Sequence, residues 1–388
     1  MSHETLQTIW FLLIAVLWTG YLVLEGFDFG VGMLLPFVPR DDKERRLAIN
    51  TIGPLWDGNE VWLLTAGGAT FAAFPEWYAT LFSGAYLALL VILLALIVRV
   101  VSFEWRGKIT TPRWQKAWYW GLVVGSWVPA VLWGVAFGNL VAGLKIEPVT
   151  TTVSNVDGEV TRTTLQYTGN FFDLLTNGHG FALLTGALTA TVFLAHGAIF
   201  MSLKTSGDFR ERAASTASRL SLVALVVGAV WAVWLQLAYS GKGWTWAPLA
   251  VAALALAASV WFTRVRSEGR AFAASAVAIV AAVVLIFGSL YPNVMPSNVD
   301  PAYSLTIHNA SSSAYTLTMM TWVAVVFTPI VLAYQAWSYW VFRKRIGAGP
   351  VPASGAPAAA PAAPGDAAAG PDGGGVRSGP ARPREAGP

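Results

Sequence analysis

The chain has 388 residues, of which 55% are apolar and only 12% charged, with a formal net charge of +4. A soluble protein of this length cannot hide so much apolar surface, so lipid must cover part of it. There is no cysteine, which excludes disulfides, thiolate metal sites, thiol nucleophiles and c-type haem attachment.

Apolar runs of about 20 residues match the thickness of a bilayer core. They fall at 7–36, 54–74, 77–103, 117–143, 179–203, 214–239, 245–263, 270–291 and 314–341. The pattern predicts an all-α, polytopic membrane protein with about nine spans. The first run is too long for a cleavable signal, and no small-residue cleavage site interrupts it. Placing the N-terminus outside puts the connections after spans one, three, five, seven and nine in the cytoplasm. The first of these carries Arg40, Lys43, Arg45 and Arg46, and the second is read as carrying Arg99, Arg106, Lys108, Arg113 and Lys116. Together they and the C-terminal segment hold 22 of the 25 basic residues, leaving only Lys145, Arg162 and Lys242 outside. The positive-inside rule therefore gives N-out and C-in. The basic balance reflects this topology and not nucleic-acid binding. Trp77, Trp105, Trp114, Trp118, Trp244 and Trp246 lie near proposed span ends, as an interfacial aromatic belt requires.

One transmembrane domain is expected over 1–346, with long outside loops at 144–178 and 292–313. The stretch TTTVSNVDGEVTRTT alternates β-branched and polar residues, which predicts a small hairpin in the first loop. From 347 to 388, Ala, Pro and Gly supply 32 of 42 residues. Such a composition cannot bury enough surface to fold and is read as a disordered cytoplasmic tail.

Ionisable groups inside apolar spans are costly and need a reason. Glu25 and Asp28 lie well inside span one, and Asp57 and Glu60 start span two. Each pair is spaced i, i+3 and shares a helix face. For Asp57 and Glu60 the bland reading is that acids following Pro54 complement the helix dipole. Glu25 and Asp28 can hold a cation, relay protons or bond a neighbouring helix. No histidine stands near enough in the sequence to complete a transition-metal set, so no metal site is assigned. Gly26 and Gly30 form a small-xxx-small pair, which lets a second helix approach closely. Of four histidines, only His196 lies within a span. That is too few for a multi-haem protein. Helix packing, a proton path and ligation all remain open for His196, in that order.

The same segments carry a family resemblance. EGFDFGVGML (25–34) and GPLWDGNEVWLLTAGGATFAAFP (53–75) resemble the second subunit of the cytochrome bd quinol oxidases. VAFGN (135–139), YTGNFFDLL (167–175), YPNVMPS (291–297) and MTWVAVVFTPI (320–330) follow in the family's order. The resemblance implies a fold of two four-helix bundles plus one peripheral helix in the bacterial cytoplasmic membrane. It implies a haem-free subunit of an oxidase that takes electrons from quinol and reduces dioxygen to water. Haems b and d and the main quinol site are expected in a separate subunit I, and this chain would carry no catalytic residue or cofactor of its own. Small accessory subunits and a quinone or lipid bound to this chain stay open. The family's proton-uptake route at the subunit interface uses the aspartate of its WDG motif, which maps to Asp57, with Trp56 beside it. Glu25 stands where close relatives often have Asp, and His196 where relatives can carry Gln. Glu25, Asp28 and Glu60 are grouped with Asp57 as candidate members of that route. A secondary transporter or a purely structural scaffold are the alternatives.

Overall fold

The computed structural model describes residues 1–155 and 158–347. The tail expected at 347–388 lies, beyond Gly347, outside the described residues. So does Asp157 at the tip of the expected hairpin.

The chain runs through α1 (His3–Leu34), α2 (Asp42–Ile52), α3 (Trp56–Ala73), α4 (Pro75–Gly84), α5 (Tyr86–Trp105) and α6 (Pro112–Ala142). The hairpin β1 (Ile146–Asn155) and β2 (Gly158–Tyr167) follows, then α7 (Phe171–Thr176), α8 (Phe181–Lys204) and α9 (Gly207–Leu235). Last come α10 (Trp246–Arg264), α11 (Glu268–Leu290), the short strands β3 (Asn293–Met295) and β4 (Leu305–Thr306), and α12 (Ala314–Val341). Among the described residues eight helices are long and apolar enough to cross a membrane: α1, α5, α6 and α8 to α12.

The second predicted span is where the two readings differ. It forms α3, 18 residues and about 27 Å long, too polar at its start to pass as an apolar span by composition alone. The third is broken. Pro75, between the second and third runs, opens α4, because a prolyl residue has no N–H for an ongoing helical ladder. The third run is then interrupted at Ala85, where α4 ends at Gly84 before α5 begins at Tyr86. The segment after span one, read as a loop, contains α2. Asp41 caps it by accepting from the Glu44 N–H at 2.9 Å. Basic residues at the ends of other helices hold α2 down: Arg106, just after α5, pairs with Asp42, and Arg212, near the start of α9, pairs with Glu44.

Helices α1, α3, α5 and α6 make one bundle, and α8 to α11 make the second. The bundles meet where α1 and α6 cross α8. The crossing is backbone on backbone at Gly30. A Cβ there would sit 1.9 Å from the Phe193 carbonyl oxygen and 2.9 Å from Gly197 Cα. The small-xxx-small pair in α1 thus does what its sequence suggests. Helix α12 is peripheral. Its main packing is on α1 and α3, and Leu317 is its single buried residue.

The connection between α6 and α8 is tied by asparagines from the motifs. Asn139 donates to the Leu174 carbonyl at 2.7 Å. Asn177 donates to Asn139 Oδ1 at 2.9 Å and to the Gly143 carbonyl at 2.6 Å. Asn170 and Asp173 form a reciprocal capping box at the start of α7. Burial, with Asp173 nearby, pushes the Tyr167 hydroxyl up to about 12, so it remains a donor to the Asn170 carbonyl at 2.9 Å.

Candidate functional site: an enclosed charge cluster in the first bundle

Glu25 and Asp28 are both 0% exposed on α1, among Tyr21, Phe27 and Phe29. Two carboxyl groups at that depth need partners. Glu25 finds a cation. Arg99 of α5, also 0% exposed, forms an ion pair with Glu25 Oε1. The arginine lies over the Phe29 ring at 4.7 Å and the Phe103 ring at 5.3 Å, so its planar faces rest on aromatic walls. Arg99 is therefore no part of a cytoplasmic connection, as its place near the end of an apolar run suggests. It belongs to the core of the bundle, because the energy of burying it is offset by the acids it faces.

Asp28 finds an amide. Asn59 of α3, fully buried, donates from Nδ2 to Asp28 Oδ2 at 2.6 Å and to the Leu24 carbonyl at 3.3 Å. Its Oδ1 accepts from Gln335 Nε2 at 3.1 Å and from the Tyr339 hydroxyl at 2.8 Å, both on α12. Glu60 follows Asn59 on α3, is half-buried, and faces Arg99. Asp57 lies exposed in the first turn of α3. Trp56 beside it is half-buried and stacks on Phe103 at 5.1 Å, with the ring planes 19° apart. Asp57 caps nothing, since the N-cap position is Leu55 and no side chain accepts there. Several buried polar atoms in the cluster have no protein partner: Glu25 Oε2, Asp28 Oδ1, Glu60 Oε2, Arg99 Nε and Nη2, and the Tyr21 hydroxyl.

His196 stands apart. It is 0% exposed on α8 and stacked on Phe272 at 4.5 Å. The Val23 carbonyl, 3.1 Å from Nε2, can only accept, so Nε2 carries the proton. Nδ1 then accepts from Ser275 Oγ at 2.7 Å. Both ring nitrogens are engaged in joining α8 to α1 and α11. Among the described residues no group of three His, Asp or Glu is placed to hold a metal ion.

The structure brings together Glu25, Asp28 and Glu60, with Asp57 and Trp56 at the mouth of α3, and leaves His196 outside. Sequence reasoning missed Arg99, Asn59, Gln335 and Tyr339. For Arg99 the signal was present: a lone arginine seven residues before Arg106, still inside the apolar run. For Gln335 and Tyr339 the i, i+4 spacing on a helix without charged residues was the only clue.

Fold and site define a polytopic α-helical membrane protein with an ion pair and a hydrogen-bonded carboxyl enclosed in its first bundle. The model of the cytochrome bd terminal oxidase subunit II family matches residues 6–342, and the chain belongs to that family. Cytochrome bd-I ubiquinol oxidase subunit 2 of Escherichia coli (strain K12) is 39% identical over 380 residues, which cover 89% of this chain and 96% of that protein. Cytochrome bd ubiquinol oxidase subunit 2 of Bacillus subtilis (strain 168) is 38% identical over 347 residues, with 88% and 97% covered. The structure of the bd oxidase from Geobacillus thermodenitrificans shares the fold, with a TM-score of 0.67 at 15% identity over 87% of this chain and 97% of that one. The chain is accordingly a multi-pass protein of the bacterial inner membrane and a subunit of an oxidoreductase complex.

Proposed function

We propose that this chain is the haem-free subunit of an oxidase that oxidises quinol and reduces dioxygen to water, with haems b and d in subunit I. Its own residues supply a proton-uptake route from the cytoplasm at the subunit interface. The orientation is N-out and C-in, with α3 crossing as the ninth span, so Asp57 faces the cytoplasm. The observation that carries the reading is a graded series of acids. Asp57 is exposed, Glu60 one turn deeper is half-buried, and Glu25 and Asp28 are fully enclosed. A carboxyl at a water-exposed helix start can collect a proton, and buried carboxyls with unused lone pairs can pass it on. Arg99 holds the Glu25 carboxylate against one of its own donors, and Trp56 on Phe103 walls the mouth. His196 is assigned to helix packing. Both its nitrogens serve neighbouring elements, and the acids do not bond to it.

A cavity of about 610 Å³ between α3, α4, α5 and α6 is lined by apolar side chains including Leu63, Phe71, Leu89 and Leu132. Its walls suit a lipid acyl chain or the isoprenoid tail of a quinone.

The test is Asp57→Asn in the assembled complex, read as oxygen consumption per haem. Asn keeps the shape and loses the titration. Turnover is expected to fall by an order of magnitude or more, as loss of a general acid–base step does, with haem content unchanged. Wild-type turnover would leave this chain a scaffold. A secondary transporter would instead show substrate uptake by this chain alone.

A further inference from the structure

Helix α12 has almost no buried surface, yet its inner half reaches the charge cluster through one residue. Gln335 and Tyr339 share a face, and both donate to Asn59 Oδ1. Asn59 has no freedom left in this arrangement. The Leu24 carbonyl can only accept, so Nδ2 must face α1, and Oδ1 must face α12. With Nδ2 fixed on the α1 side, Asp28 Oδ2 receives a donor. The remaining attachments of α12 lie at its ends. Trp10 donates to the Leu317 carbonyl at 3.2 Å and to Thr321 Oγ1 at 3.0 Å near the outer end. Lys204 donates to the Phe342 and Lys344 carbonyls beyond the inner end.

We propose that Asn59, oriented by Gln335 and Tyr339, is a positioning residue for Asp28, so that the seating of α12 sets how the buried carboxyl binds its proton. The inference rests on the proton-route reading and adds its control. Without the two α12 donors, Asn59 Oδ1 loses both of its partners, and only the Nδ2 bonds, the one to the Leu24 carbonyl at a long 3.3 Å, hold the amide in this orientation. A flipped amide would present Oδ1 to the carboxylate, replacing attraction by repulsion. The other charged or titratable groups facing Asp28 are Glu25 on its own helix, Arg99 from α5 and Tyr339 from α12.

The test uses the full complex carrying Gln335→Met and Tyr339→Phe, which keep the volume of both side chains and remove both donors. The pH profile of oxygen consumption per haem is compared with wild type, Tyr339→Phe alone and Asp28→Asn. The double variant is expected to lose about ten-fold in turnover at neutral pH, the equivalent of one hydrogen bond to a charged group. Its profile should move to higher pH, since a carboxylate deprived of a donor keeps its proton longer. Tyr339→Phe, with Gln335 still donating, should move less. A uniform loss of turnover with an unmoved profile, or wild-type behaviour, overturns the proposal. If Asp28→Asn abolishes turnover while the double variant behaves as wild type, the route stands and the positioning role falls. If Asp28→Asn is itself wild type, the route reading fails at Asp28. Should the double variant fail to assemble, Gln335→Met and Tyr339→Phe singly give the same comparison.

Discussion

Breaking the Glu25–Arg99 pair tests whether the cluster is balanced as its geometry indicates. Both side chains are 0% exposed, and Arg99 also faces Asp28 and Glu60. Removing Glu25 therefore leaves the arginine two acids. Removing Arg99 leaves acids with no cation. Arg99→Met keeps the contact with Phe29 and Phe103 but strands the carboxylates, at a cost of about 3–5 kcal/mol for an uncompensated buried charge. Glu25→Gln keeps the shape and a hydrogen-bond acceptor for Arg99, at about 1–3 kcal/mol. The combined variant carries one charge fewer than Arg99→Met alone. It should be more stable than that single variant, with a coupling of about 1–3 kcal/mol between the sites. The assay is thermal unfolding of the purified complex in detergent, followed as loss of the assembled species on size exclusion. Arg99→Met should have the lowest midpoint, and adding Glu25→Gln should raise it. If the second substitution lowers the midpoint further, by the amount Glu25→Gln costs in wild type, the two residues do not interact and the cluster is not held by this pair.

Gly30→Val should prevent α1 from seating on α8, since even a Cβ would overlap the Phe193 carbonyl. Assembled complex should fall several-fold in membranes, whereas Gly67→Ala, with open space at that position, should leave the yield unchanged. For the orientation, a tag inserted between Asn155 and Gly158 should be cut by protease added outside spheroplasts. A C-terminal tag should be protected, and the reverse pattern would invert the topology.

The long apolar helices and their order were legible in the sequence because lipid leaves no alternative for 20 apolar residues but a helix. The β1–β2 hairpin was legible from its alternating Thr and Val residues, and a close helix approach at α1 from the spacing of Gly26 and Gly30, though not that α8 makes it. The break at Pro75 was legible as the gap between two apolar runs, but the one at Ala85, between α4 and α5, was hidden inside a continuous apolar run. Helix α2 was hidden by its charges. The acids of the cluster announced themselves, because a carboxylate in an apolar span is conspicuous. Their partners did not. Arg99 stands 74 residues from Glu25, and Tyr339 stands 280 from Asn59. Periodicity within one helix says which residues share a face, not which face of another helix will meet it. The sequence determined that buried charge exists in α1. The packing of α1, α3, α5 and α12 decided that Arg99 balances it and Asn59 orients it, since the choice of partner depends on distances that only the assembled bundle defines.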